Sequence, residues 1–189
     1  VDPVPQPALV AASAECIETT LPAQLGALPL ESLLRRFQAA DGRLRVDFGA
    51  LSIITNPATG ERILLDHLAQ VARILTGAPV LAGVAGLLAV PGLPVPPGLP
   101  GVPAMVALGM DIINGLEVEG MRYVFQALGS PITSWEVWTS TKLKMPVLTR
   151  TIGSFGVRTC ICKCTPVEPP ASTFQVPSTY TVVRPPLAP

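Results

Sequence analysis

Apolar and polar side chains alternate without error from Arg43 to Phe48. Leu44, Val46 and Phe48 fall on one side of an extended chain, with Arg45 and Asp47 on the other. A period of two is that of a half-buried antiparallel strand, and Ala40-Asp41-Gly42 before it is a turn signal, reached through the run 33–38. Leu51 to Thr55 is a second, β-branched run, closed by Asn56-Pro57-Ala58-Thr59-Gly60, whose composition suits a reversal. Glu61 to His67 returns, and Val71 to Leu75 supplies a further strand. After Asp111 the meander resumes, with Asn114-Gly115 as a two-residue hairpin signal between 111–113 and 116–126. Strands are expected at 132–140, 147–152 and 157–165, the last two joined by Gly153-Ser154-Phe155-Gly156. Intervals this short leave no room for crossover helices. The pattern predicts a mainly β chain, a curved antiparallel sheet or half-barrel.

Around this sheet, residues 1–29 read as an extended proline-rich arm with a short helix over Ala11 to Thr20. Residues 30–165 read as the sheet domain, and 166–189 as a proline-rich tail that cannot propagate a sheet ladder and needs another surface to become ordered. Within the sheet domain lies an apolar, Pro/Gly-rich insert, 76–110. No charged residue stands between Arg73 and Asp111, and Val80 to Val90 predicts a short apolar helix. Pro91 to Pro103 has a polyproline-like, glycine-punctuated composition. Prolines interrupt the segment well before the roughly 20 apolar residues that cross a bilayer. The helix can plug the concave side of a sheet that cannot make a core from one layer. Alternatively the arm lies on a membrane surface or another protein, through Val80, Leu81, Val84, Leu87, Leu88, Leu93, Val95, Leu99 and Val102.

The charge balance narrows the partners. Thirteen basic and 13 acidic residues in 189, only 14% charged in all, leave no positive excess to hold nucleic acid. Hydrophobic residues make up 49% and the mean hydropathy is +0.49, high for a soluble protein, but the 22 prolines break up long helices. A start at Val1 without Met is what removal of a signal peptide leaves, which points to a periplasmic or extracellular protein with no transmembrane span. Four cysteines, Cys16, Cys160, Cys162 and Cys164, form an even set able to oxidise there, and Glu15 argues against lipid attachment at Cys16.

Chemistry is sparse. The single histidine, His67, follows Asp66 on a strand, so the two side chains point to opposite faces, and a satisfied hydrogen bond is preferred to catalysis. Glu117 and Glu119 alternate with Leu116 and Val118 and read as a solvent face. Cys160-Ile161-Cys162-Lys163-Cys164 on a strand projects three sulfurs from one face but spreads them along a line, which suits a zinc site poorly. One disulfide to Cys16 is the preferred reading, with the other two cysteines as thiols or paired across a bulge; no metal and no cofactor is expected. Trp135, Trp138, Tyr123 and Phe125 sit on neighbouring strands and read as cross-strand pairs before they read as a lipid or sugar cleft.

Several strand segments carry a resemblance. Arg43 to Asp47, Ser52 to Pro57, Ile63 to His67, Gly115 to Tyr123, Trp135 to Trp138, Lys144 to Thr149 and Phe174-Gln175-Val176-Pro177 together are similar to uncharacterised exported bacterial proteins. The strand order of that group resembles the periplasmic lipoprotein-carrier half-barrels of the LolA and LolB kind. The resemblance implies a curved sheet with a helical lid around a cavity for acyl chains, and it carries no catalytic motif. The insert and the cysteine strand depart from it. The expectation is therefore a non-enzymatic extracytoplasmic structural or accessory subunit, docked on a larger membrane-associated protein complex through its proline-rich tails and apolar arm. The alternative is a periplasmic carrier binding a lipid or other apolar ligand in the half-barrel.

Overall fold

The computed structural model describes residues 10–24, 26, 28–75, 104–125, 133–154 and 156–184. They are almost entirely strand: β1 (Ala12–Pro22), β2 (Leu30–Gln38), β3 (Leu44–Phe48), β4 (Leu51–Asn56), β5 (Glu61–Asp66), β6 (Val71–Leu75), β7 (Ala104–Ile113), β8 (Leu116–Phe125), β9 (Thr133–Ser140), β10 (Pro146–Gly153), β11 (Gly156–Thr165) and β12 (Thr181–Val183), with a 3-10 turn at Ala171–Phe174. Hydrogen bonding orders them β12-β6-β5-β4-β3-β2-β1-β11-β10-β9-β8-β7, an open sequence of neighbours with β12 and β7 at its two ends. The mainly β, unclosed sheet expected from the alternation is the fold. The Asn114-Gly115 hairpin is there too, with both residues at positive φ (51° and 75°), the combination a tight two-residue turn demands.

The chain divides into two compact units: Val1–Ala14, Arg35–Gly77 and Thr165–Pro189 form one, Glu15–Leu34 and Ala78–Cys164 the other. In the first unit, β3 to β6 form an antiparallel meander whose register places Asp47, Ser52, Leu65 and Ala72 in one cross-strand row. Arg45, Ile54, Ile63 and Ile74 make the next row on the same face. That face carries the core: Ile54, Leu65, Ala72, Ala39 and Phe174 are buried together, with Phe37, Ile63, Val176 and Tyr180 packed against them. The polar side of the alternating strand, Arg45 and Asp47, thus shares the core face, while Leu44, Val46 and Phe48 line the opposite one and are half-buried.

Three expectations are corrected. Ala11 to Thr20 is not helical: its Ala12, Ala14 and Cys16 are buried while Glu15 and Ile17 are exposed, the period of a strand, and β1 is held between β2 and β11. The stretch 104–110 is not part of an insert, because it pairs with β8 from Ala104 onward. The tail from Thr165 does join the ladder. Phe174 docks into the first unit's core, and β12 pairs with β6 in parallel, the proline-free triplet Thr181–Val183 supplying the N–H groups that prolines lack. The Val80 to Val90 helix lies outside the described residues.

Candidate functional site

In the first unit the one histidine is the centre of a polar chain. His67 lies in the turn after β5, where its N–H donates to the Ala50 carbonyl at 2.9 Å. Its ring bridges two hydroxyls, Ser52 Oγ from Nε2 and Tyr180 OH from Nδ1, each at 2.6 Å. Arg45 joins the chain: Nη2 donates to Ser52 Oγ at 3.3 Å, Nε pairs with Asp47 Oδ1 at 2.6 Å, and Nη1 donates to the Thr173 carbonyl at 2.8 Å. Asp66 turns elsewhere, accepting from the N–H groups of Leu68 and Ala69. A serine bonded to a histidine that a third group orients is the arrangement of an activated nucleophile. Here Ser52 is 0% exposed, so its hydroxyl presents no face to a substrate. The chain instead ties the C-terminal segment to the meander, the satisfied role expected of His67. The sequence offered no sign that Ser52 and Tyr180 would meet it, 15 and 113 residues away.

The sulfurs gather in the second unit. Cys16 on β1 and Cys162 on β11 form a disulfide across 146 residues of chain. Cys160, also buried, brings its Sγ into the same cluster, the three sulfurs lying within 4.8 Å of one another. Cys164 is half-buried one step further along β11 and is not among the three. A triangle of sulfurs is metal-ligand geometry, yet a disulfide has no thiolate to give, so the oxidised chain offers a cross-link in this place.

Elsewhere on the second unit's strands, Arg122, Glu136 and Arg150 form a cross-strand row. Glu136, its side chain only 9% exposed, pairs with Arg122 at 2.7 Å and lies 4.0 Å from Arg150. The aromatics split: Tyr123 and Trp135 pair at 5.3 Å between centroids, whereas Trp138, three residues on, takes the other face and lies over Gly120. They pair across strands and do not line one cleft. The side chain of Phe125 lies outside the described residues. Glu117 and Glu119 are exposed beside buried Val118, as expected.

The remaining feature is β7. None of its ten residues is buried, and Met105 (66%), Met110 and Ile112 (73%) are among the most exposed large apolar side chains, with Val106 exposed as well. Natural edge strands are blunted by lysine, proline or inward charge. This one has a bulge between Ala107 and Gly109 and a single charge, Asp111. It continues directly from the charge-free sequence that begins after Arg73. The expected contact residues in that sequence, Val80 through Val102, lie outside the described residues.

No protein-family model matches the chain, and no curated protein matches it. Solved structures do. MucB in complex with MucA(peri) is 10% identical over 92% of this chain and 56% of that one, with a TM-score of 0.50. The MucA/MucB complex of Pseudomonas aeruginosa gives 10% identity, 92% and 58% coverage, and a TM-score of 0.52. A LolA superfamily protein from Nitrosomonas europaea matches at 10% identity over 87% of this chain and 90% of that one, with a TM-score of 0.33. This chain spans a little over half the length of the MucB chains. At such identity the likeness to the MucB chains is one of fold alone. Among the described residues no helix is long and apolar enough to cross a membrane.

Proposed function

We propose that this chain is a non-catalytic, extracytoplasmic docking module that attaches to a larger, membrane-associated protein assembly through β7 and the apolar segment leading into it. The observation that carries the reading is β7 itself, an end strand of ten residues with apolar side chains exposed on both faces and one charge to protect it. A second strand laid along it would satisfy the backbone groups that no described strand pairs and cover Met105, Met110 and Ile112. The charge-free insert adds Val80, Leu81, Val84, Leu87, Leu88, Leu93, Val95, Leu99 and Val102 to the same attachment. Likeness of fold to MucB, whose structures include complexes with MucA, supports a protein partner. The cross-linked cysteines support an oxidising compartment. The C-terminal segment takes no part as a docking arm up to Val183, since it is spent on its own sheet.

Isolation from the native source in mild detergent tests this. The wild-type chain should migrate in a complex, and a chain with Met110→Lys and Ile112→Lys, both at exposed positions, should migrate alone while keeping its fold. Migration of the wild type as a lone chain would defeat the reading. Co-purified lipid on that lone chain, seen by native mass spectrometry, would establish the carrier alternative in its place.

A further inference from the structure

We propose that the face of the first unit now covered by residues 171–183 is a peptide-binding site, and that the chain's own C-terminal segment is a displaceable occupant of it. The partner it fits is an extended protein segment with an aromatic anchor, an aliphatic residue two positions on, a tyrosine four further, and then a short β-branched run, as in Phe174, Val176, Tyr180 and Thr181–Val183. This site is separate from β7 and stands or falls independently of it.

The mode of attachment carries the inference. The segment packs Phe174, Val176 and Tyr180 on the apolar core of Ile54, Leu65 and Ala72, but the face it covers also carries Arg45 and Asp47. Arg45 does not read a side chain there. It donates to the main-chain carbonyl of Thr173, a contact any extended peptide can provide. Sequence is read at two side chains: Phe174 is 6% exposed, with the Arg43 guanidinium 4.9 Å above its ring, and Tyr180 reaches the His67 ring with its hydroxyl. Beyond Tyr180 the segment adds itself as a strand, Thr181 donating to Gln70 at 2.9 Å and β12 running parallel to β6. Side-chain anchoring combined with strand addition at a sheet edge is a recurring way of binding peptides.

The two ends of the occupant are weakly built in. β12 has three residues, all exposed, and is parallel where the β3 to β6 meander it joins is antiparallel. The tether before it, 166–170, contains Pro166, Pro169 and Pro170 and is exposed at four of its five positions. A tethered occupant competes through an effective concentration in the millimolar range, so a free peptide meets a masked site until the tether or an anchor is weakened.

The test uses a fluorescent synthetic peptide of residues 171–184 and the full-length chain, read by anisotropy. The wild type should bind it weakly, and Phe174→Ser, which loosens the internal occupant, should bind it at least tenfold more tightly. A peptide carrying the same Phe174→Ser change should bind neither. Should the variant chain not fold, the wild-type chain with a protease site placed within 166–170 is cut after folding and mixed with isotopically heavy peptide. Native mass spectrometry then shows the heavy peptide replacing the native one. Failure of the cut chain to exchange, or equal affinity of wild type and a folded Phe174→Ser chain, overturns the proposal. A dimer held by swapped segments would assign the site to a second copy and overturn the partner named here.

Discussion

A glycine and a tryptophan show how much depends on single side chains. A Cβ on Gly120 would lie 2.6 Å from the Trp138 ring, closer than any real contact, so the ring covers the strand only because residue 120 has no side chain. Gly120→Ala should displace the indole and cost roughly 2 kcal/mol, as overpacking does. Chemical denaturation with Trp fluorescence checks both effects. At the turn before β3, the Asp41 carboxyl is held below the usual carboxylate range, first because it accepts from the backbone N–H of Arg43, then through the Arg43 side chain. A lowered folded value means that its contribution is complete above the ordinary carboxylate pKa and lost as pH falls through the lowered one. Being exposed, it is small: Asp41→Asn should lower Tm slightly at neutral pH and leave it unchanged in strong acid.

Among the elements, the meanders were legible because their apolar residues are large and turn residues separate them. Ile53, Ile54, Leu64 and Leu65 announce strands, and Asn114-Gly115 announces a hairpin. β1 was not, because its buried positions are Ala12, Ala14 and Cys16, too small to raise the period of two above the background of good helix formers. Only its neighbours β2 and β11 and the bond to Cys162 make it a strand. The C-terminal segment was misread for a related reason. Its prolines signalled an extended tail, but the three side chains that dock it, Phe174, Val176 and Tyr180, are isolated in sequence and meet their partners more than 100 residues away. The same distance hid the Ser52, His67, Tyr180 chain. For β1 the dependence is testable: Cys16→Ser should cost about 2 to 5 kcal/mol of stability, the usual loss for a disulfide closing a long loop. A parallel loss in the wild type on adding a dithiol reductant would confirm that the cross-link, and not the serine, is responsible.

For the whole molecule, the neutral charge balance was informative from the start. With 13 residues of each sign and a proposed docking strand that carries one charge, the association proposed for β7 does not draw on a long-range field. The complex should therefore withstand salt raised to about 1 M, where the screening length is near 3 Å. It should come apart in a detergent that competes for Met105, Met110 and Ile112. Dissociation by salt, with resistance to detergent, would point to charged contacts instead. The mainly β, open sheet was likewise within reach of the strand pattern, whereas the proposed docking surface was not, since it consists of exposed methionines and isoleucine on one end strand and not of any motif.

Hydrogen exchange on β7 reaches this surface directly. In the assembly recovered under mild detergent, the amides of Ala104–Ile113 that face away from β8 should exchange far more slowly than in the isolated chain, while β3 to β5 exchange alike in both. Unchanged exchange along β7, with slowing found on another element, would contradict the account.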